Sequence, residues 1–461
     1  MSEVLQSFVD HTNQIAQKMD IDAFIIRGLA EIKNQIRFSQ NKIDINKQWN
    51  SNLLQILLVV DEDRVTIGEF SIGPSEEMVK DRLTSMVKFA KQMPPSPFYK
   101  GITDKTTSYP PLDGQMDPKI DDYPNKAPQD VNACIDRALE AGAKRVAGSY
   151  FFGKKTLYFY SSAGPTGSFS DTFYNMTIRA FQEELDASGQ GLVCGVNPSK
   201  AEEELLAAGE KAGNFSRMHR GGVQAPHGKF DIIMSPAVAA NVLGIIPRGA
   251  SPLAVMMGVS PLGDKMGEKL APEFVSISDN GLQPDGLATA PFDVEGFPRQ
   301  NTPIFKNGVL VSFIHNTSTA EMFQTQSTGN SNFVDFFGRA KTFAPSPTNT
   351  VFNIGDHSFE ELLENGSRPT LHVTCNWYTR FTSRISTEYS TIPRDAAFLV
   401  ENGELSTPVK NFRISDKILH HFENIDAMGN DRVQVNWWEV SVPTWIPTIR
   451  VRDCRVTTAT Q

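Results

Sequence analysis

The chain has 461 residues, 40% of them hydrophobic and 21% charged, enough for two or three domains around a substantial core. Its formal charge of −9 disfavours nonspecific binding to nucleic acid or anionic membrane, both of which need clustered Lys and Arg. No apolar run reaches the roughly eighteen residues of a membrane helix, and the first ten residues lack the basic flank and apolar centre of a secretion signal.

Val4, Leu5, Phe8, Ile15 and Met19 recur at helical spacing and predict a first amphipathic helix. Strand-like segments follow at 23–26, 36–46, 53–60 and 64–70, with Asp61-Glu62-Asp63 as a turn before the last. Residues 76–92 read as a second helix. Pro94, Pro95, Pro97, Pro110, Pro111, Pro118, Pro124 and Pro128 then make 93–128 irregular, because proline removes a backbone donor and turns its predecessor away from helix. A helix is predicted over 130–143, with Val131, Cys134, Ile135, Ala138 and Leu139 on one face, then short strands over 145–162 and a turn at 164–167. Residues 171–187 read as a helix, or a strand passing into one. Ser199 and Glu202 fit a capping box opening a helix over 200–212.

The Gly-, Arg- and His-rich segment 214–228 marks the main boundary, giving an N-terminal domain over 1–225 and a C-terminal one over 226–461. Beyond it, turn-punctuated strands dominate: 305–313 about Asn307-Gly308 and 397–409 about Asn402-Gly403. Asn-Gly is a strong hairpin signal, because a type I′ turn needs positive φ at both central positions. The expected class is α+β: a helix-and-sheet N-terminal domain followed by a strand-rich, antiparallel β C-terminal domain.

Chemistry-bearing motifs are scarce. The adjacent His420 and His421 point about 100° apart on a helix, and His219 and His227 have no thiol or carboxylate at a matching offset. There is no G-x-S-x-G, and Cys375 and Cys454 read as strand cysteines. With Cys134 and Cys194 they form no C-x-x-C, the inventory of a reduced cytoplasmic protein. Asp293 and Glu295 share a strand face, a spacing that suits a cation or acid–base pair; the plainer reading is that they pair with Arg299 or cap a turn. "GGVQAPHG" is no phosphate cradle, and Trp437-Trp438 reads as core or interface. No catalytic or metal-binding residue is assigned.

"FDVEGFPRQNTPIFKNGVLVSFIHNTSTA" followed by "STGN", within 291–330, resembles the signature of the TldD/PmbA family. "HGKFDIIMSPAVAANVLG" at 227–244, "STEYSTIPRDAAFLVENGELSTPVKNFRIS" at 386–415 and "IDAMGNDRV" at 425–433 resemble other family segments in the same order. The resemblance is good from Lys229 onward and rests on element order alone before Arg220. It implies a two-domain α+β fold. It also implies one of two kinds of subunit: a TldD kind, with zinc on H-E-x-x-x-H and a late Cys, or a PmbA (TldE) kind that lacks those ligands and partners the first in a peptide-cleaving heterodimer. Here Gly244 and Gly249 stand about where the two histidines would, and no cysteine follows Gly429-Asn430-Asp431. The implied chain is therefore the non-catalytic subunit, without a cofactor of its own, with zinc in a TldD-like partner and a peptide as substrate. Asn316, Thr317, Ser327, Thr328 and Asn330 are expected to line a peptide cleft, or to serve only as turn and cap residues. The alternatives are a stand-alone homodimer that binds peptide or small ligand, and a hydrolase with a nonzinc site built on Asp293, Glu295 or Cys454.

Overall fold

The computed structural model describes residues 2–71, 76–104, 108–109, 111–336, 340–364, 368–383 and 386–458; Pro110 of the proline-rich stretch lies outside them. Helix α1 (Ser2–Ala16) buries Leu5, Val9 and Ala16. Strands β1 (Ala23–Ser39) and β2 (Lys42–Val60) pair along their lengths through a turn at Gln40 and Asn41, both at positive φ. The segment 36–46, expected as one strand, thus contains the hairpin turn. Its signal is an asparagine that tolerates left-handed backbone, with no glycine to advertise it. Strand β3 (Arg64–Ser71) and helix α2 (Glu76–Ala90) follow as expected.

The described residues of the proline-rich stretch are irregular apart from a short turn of helix at Tyr123–Asn125 and the helix that begins at Ala127, and they bury Thr103, Gln115, Asp117, Ile120 and Tyr123. Buried Asp117 accepts bonds from the Ser199 amide at 2.7 Å and the Ser199 hydroxyl at 2.8 Å. That contact displaces the expected capping box. Ser199 sits in the 3-10 turn Pro198–Lys200, and helix α4 (Glu202–Met218) starts after Ala201 with no side-chain cap. Helix α3 (Ala127–Glu140) lies against α4, where Gly209 and Gly213 permit the approach: a Cβ on either would come within 2.4 Å of a carbonyl of α3.

Strands β4 (Arg145–Ser161), β5 (Thr166–Phe181) and β6 (Ser188–Gly195) complete an antiparallel sheet in the order β3-β2-β1-β4-β5-β6. Residues 171–181 are therefore strand, and no helix follows before β6. Thr172, Tyr174, Met176, Ile178 and Ala180 are buried at every second position, the period of a strand. Helices cover one face of this sheet. On the other, Ile25, Leu57, Val59, Leu157 and Phe159 meet Phe292 of the C-terminal half.

The C-terminal half begins in its sheet before residue 226, because β7 (Val223–Gln224) pairs with Val409 and Lys410. Five strands close into a barrel: Thr370–Ser383, β8 (Gly228–Met234), Ile449–Thr458, Phe412–Lys417 and Glu388–Glu401, the last pairing back with the first. A second sheet runs Val309–Leu310, Asn301–Lys306, Ile277–Asn280, Thr350–Phe352, Val440–Ile446, Val433–Trp437. Both Asn-Gly hairpins form, with Asn307, Gly308, Asn402 and Gly403 at positive φ. The pairing is mainly antiparallel, with parallel ladders where β8 meets Thr370–Ser383, β7 meets Glu404–Lys410, and Thr350–Phe352 meets Val440–Ile446. The fold is α+β with a strand-rich C-terminal half, as expected. The main core fills the space between the barrel, helix α5 (Pro236–Val242) and the second sheet.

Candidate functional site

The patterned segment 291–330 forms a buried polar layer. Asp293 and Glu295 are 2% and 1% exposed, so every oxygen needs a donor. Asp293 Oδ1 accepts from the amides of Glu295 at 2.9 Å and Phe297 at 3.0 Å, and Oδ2 from that of Ser331 at 2.9 Å. Glu295 Oε1 accepts from Asn316 Nδ2 at 3.2 Å and Ser331 Oγ at 3.0 Å, and Oε2 from the Thr317 amide at 3.1 Å. Burial pushes both carboxyls up, Asp293 to about 6 and Glu295 to about 7. The Arg299 charge opposes that rise at Asp293 and at buried Asp279. The pair caps turns through backbone amides, with the Arg299 charge nearby, and every carboxylate oxygen already accepts from a protein donor.

The five residues expected at a peptide cleft lie in or beside this layer. Asn316 caps the short helix Thr317–Met322 in a box with Thr319, and Asn330 donates to Asp279. Thr328 Oγ1 donates to Asn330 Oδ1 at 2.6 Å, and Ser327 Oγ lies 3.4 Å from the His315 carbonyl. Thr317 supplies its amide to Glu295. Asn316, Ser327 and Asn330 are buried, and none of the five lines either cavity described below.

The thiols and imidazoles are structural as well. Cys454 Sγ lies 3.8 Å from His421 Nδ1, and His421 Nε2 lies 3.6 Å from Asp416 Oδ2, the connectivity of a nucleophile, base and orienting acid. Both Cys454 and His421 are fully enclosed, however, so burial pushes the thiol up and holds the imidazole neutral. His219 is buried with its ring nitrogens on the carbonyls of Asp186 and Val409, while His227 is exposed.

The segment equated with a metal-binding helix divides in two. The helix that follows β8 is α5; Gly244 and Gly249 lie beyond it, in the 3-10 segment Leu243–Ala250. The register that set these glycines on the helix is thus corrected: Pro247 and the glycines end regular α-helix after Val242. Pro236, Ala237, Val238, Ala239, Ala240, Asn241 and Val242 include no thiolate, imidazole or carboxylate. Among the described residues no group of three or more His, Cys, Asp or Glu side chains could hold a metal ion. A zinc ion therefore does not fit this helix.

What the two segments do build is a cavity of roughly 480 Å³. Ala240, Asn241, Gly244 and Gly249 form its floor, Thr379–Phe381 one wall, and Ile418, Leu419 and Trp438–Val440 the others. Asn241 Nδ2 is fixed to Asn376 Oδ1 at 3.3 Å. At the mouth the ladder slips between Trp377 and Arg380, and Tyr378 takes φ 58°, a left-handed conformation that costs an aromatic residue about 1 kcal/mol. The buried side chain of Glu439 holds this bulge through the Tyr378 amide at 2.7 Å and pairs with Arg380 at 3.6 Å. The bulge leaves Tyr378 47% and Trp438 56% exposed, their rings 5.8 Å apart, beside Arg248 and Arg380. Trp437, next in sequence, is core at 6%. The Trp437-Trp438 pair was thus half core and half rim, and alternation along a strand end was the available signal. The cavity can accept an extended chain with apolar side chains and present cations to it.

The sequence profile of the PmbA/TldA metallopeptidase C-terminal domain matches residues 227–458. Metalloprotease MJ0996 of Methanocaldococcus jannaschii is 30% identical over 210 residues, 45% of this chain and 44% of that one. A metalloprotease of Methanothermobacter thermautotrophicus is 25% identical over 360 residues, 72% of this chain and 76% of that one. Metalloprotease PmbA of Escherichia coli O157:H7 is 27% identical over 204 residues, 44% of this chain and 41% of its own. The chain thus spans less than half of two of these relatives. In fold it is similar to TldE from Thermococcus kodakarensis, with a TM-score of 0.81 at 16% identity over 98% of this chain and 100% of that one. A Thermotoga maritima protein described as a candidate modulator of a DNA gyrase gives 0.83 at 22% identity, again over 98% and 100%. With the matched domain covering half of its length, and curated relatives named for the same proteases, this chain belongs to the PmbA/TldD family.

Proposed function

We propose that this chain is the zinc-free, non-catalytic subunit of a TldD/TldE-type heterodimeric metalloprotease. In this reading the partner holds the zinc and cleaves unfolded peptides, while this chain shapes the cleft and supports the partner. One observation carries the proposal: on a metallopeptidase-family fold, the helix after β8 offers no metal ligand. Metal-assisted hydrolysis needs about three protein ligands and an open position, and α5 contributes none. The cavity behind Tyr378 and Trp438 supports a role in receiving peptide, because exposed aromatics beside an apolar cavity are the usual anchors of an extended chain.

The test is co-expression with an H-E-x-x-x-H relative from the same cell. The expected result is a stoichiometric complex that holds zinc and cleaves an unstructured peptide, while this chain alone does neither. Cleavage by the lone, metal-free chain would overturn the proposal. A stable homodimer with no affinity for the relative would replace it with the stand-alone binding protein.

A further inference from the structure

A second cavity, of roughly 330 Å³, lies on the seam between the two halves, where strand β6 and helix α4 face α5, the strand Thr370–Ser383 and the strand Val433–Trp437. It forms where β6, at one edge of the N-terminal sheet, approaches Val433–Trp437, at one edge of the second sheet. Cys194 Sγ bridges these edges, 3.4 Å from the Gln434 carbonyl.

The polar groups around this cavity are lopsided. Gln190, 5% exposed, has its Oε1 occupied by the Cys375 thiol at 2.8 Å and the Trp377 indole at 3.4 Å. That pairing of two donors with the oxygen fixes the amide orientation. Gln190 Nε2 is then left buried with no partner, and so is Trp445 Nε1 on the opposite wall. Lys211 and Arg432 also line the cavity. Among the described residues Lys211 makes no ion pair, and Arg432 spends one nitrogen on the Phe352 carbonyl at 3.0 Å. Glu204, the one carboxylate on the wall, already accepts from the Tyr174 hydroxyl. Thr374, Gln434 and Asn436 add neutral polar groups, and Leu192, Val193, Ala237 and Val435 supply an apolar wall.

Two cations beside an apolar wall match an anion with an apolar body. We propose that this seam cavity binds a small carboxylate carrying a short hydrocarbon chain. The carboxylate would face Lys211 and Arg432, with the chain against Leu192 and Val435. A free phosphate would meet the same charges but leave the apolar wall uncovered. The inference is independent of the subunit role, because it concerns this chain alone and needs neither partner nor zinc.

The test is calorimetric titration of the full chain with isovalerate, isoamyl alcohol and inorganic phosphate. Saturable one-site binding of isovalerate is expected, with the alcohol and phosphate each at least about tenfold weaker. Lys211→Met and Arg432→Met should each weaken isovalerate about tenfold, the scale of one charge-assisted bond. Lys211 is exposed and its ammonium meets only the Phe215 ring, 5.9 Å from the centroid, so the variant should keep the native urea midpoint, which checks its fold. The proposal is overturned if isovalerate does not saturate, if the alcohol or phosphate binds as tightly, or if Lys211→Met leaves the affinity unchanged.

Discussion

Replacing Arg299 by Met interrogates the buried layer that the family signature builds. Arg299 Nε donates to the Phe292 carbonyl at 3.2 Å and Nη1 to the Gly329 carbonyl at 3.3 Å, and its charge lowers the carboxyls of Asp279 and Asp293. Methionine keeps much of the stem and removes both bonds and the charge. The two lost bonds alone are worth about 2 kcal/mol, whereas stripping one member from a buried charged cluster costs about 3–5 kcal/mol. The two regimes separate by pH. Burial raises Asp293 to about 6 and Glu295 to about 7, so the native state holds these protons more tightly than the unfolded chain. Their contribution to stability is therefore present at acid pH and lost as the pH rises from the ordinary carboxylate range through about 6 to 7. Without Arg299 the native Asp279 and Asp293 are pushed further up, and the loss continues to higher pH. Arg27, whose charge also acts on Asp293, remains beside the layer and limits the deficit. Urea unfolding should show a loss of about 2 kcal/mol at pH 5, widening to about 3–5 kcal/mol at pH 8. A deficit equal at both pH values, or larger at pH 5, would refute the argument.

The barrel edge offers a second stability test: Arg450, 3% exposed, is held by Asp426 at 3.0 Å and by the Leu362 carbonyl at 2.8 Å. Asp426→Ala should cost about 3–5 kcal/mol in urea midpoint analysis, and adding Arg450→Met should recover part of it, since the stranded charge is then gone. In the proposed heterodimer, once reconstituted, Trp438→Ala should lower kcat/KM for an unstructured peptide about tenfold through KM, with zinc content unchanged, if that rim anchors substrate. Finally, the native chain should react slowly with a thiol reagent at pH 7.5, because burial raises the Cys134 and Cys194 thiols to about 12 and holds Cys375 and Cys454 well above the ordinary thiol range. All four should label in denaturant, and rapid labelling of native Cys454 would revive a nucleophilic role for it.

The sequence by itself determined what depends on a few neighbouring residues. Asn307-Gly308 and Asn402-Gly403 made their hairpins because positive φ is a local property, and the helices α1, α2 and α3 followed their apolar stripes. The empty ligand set of α5 was equally legible, since a side chain that is absent from the sequence cannot be supplied by folding. Tertiary contacts decided the rest. Ser199 capped nothing because Asp117, far away in the chain, captured its hydroxyl and amide. Asn316 and Asn330 read equally as cleft-lining or as turn and cap residues, and only the packing shows Asn316 capping a helix and both asparagines bonded to buried Glu295 and Asp279. Both cavities are assembled from segments more than a hundred residues apart, such as Gly244 with Trp438 and Gln190 with Trp445. A hydrogen bond or a void between such segments depends on how whole sheets pack. No window of local sequence carries that information.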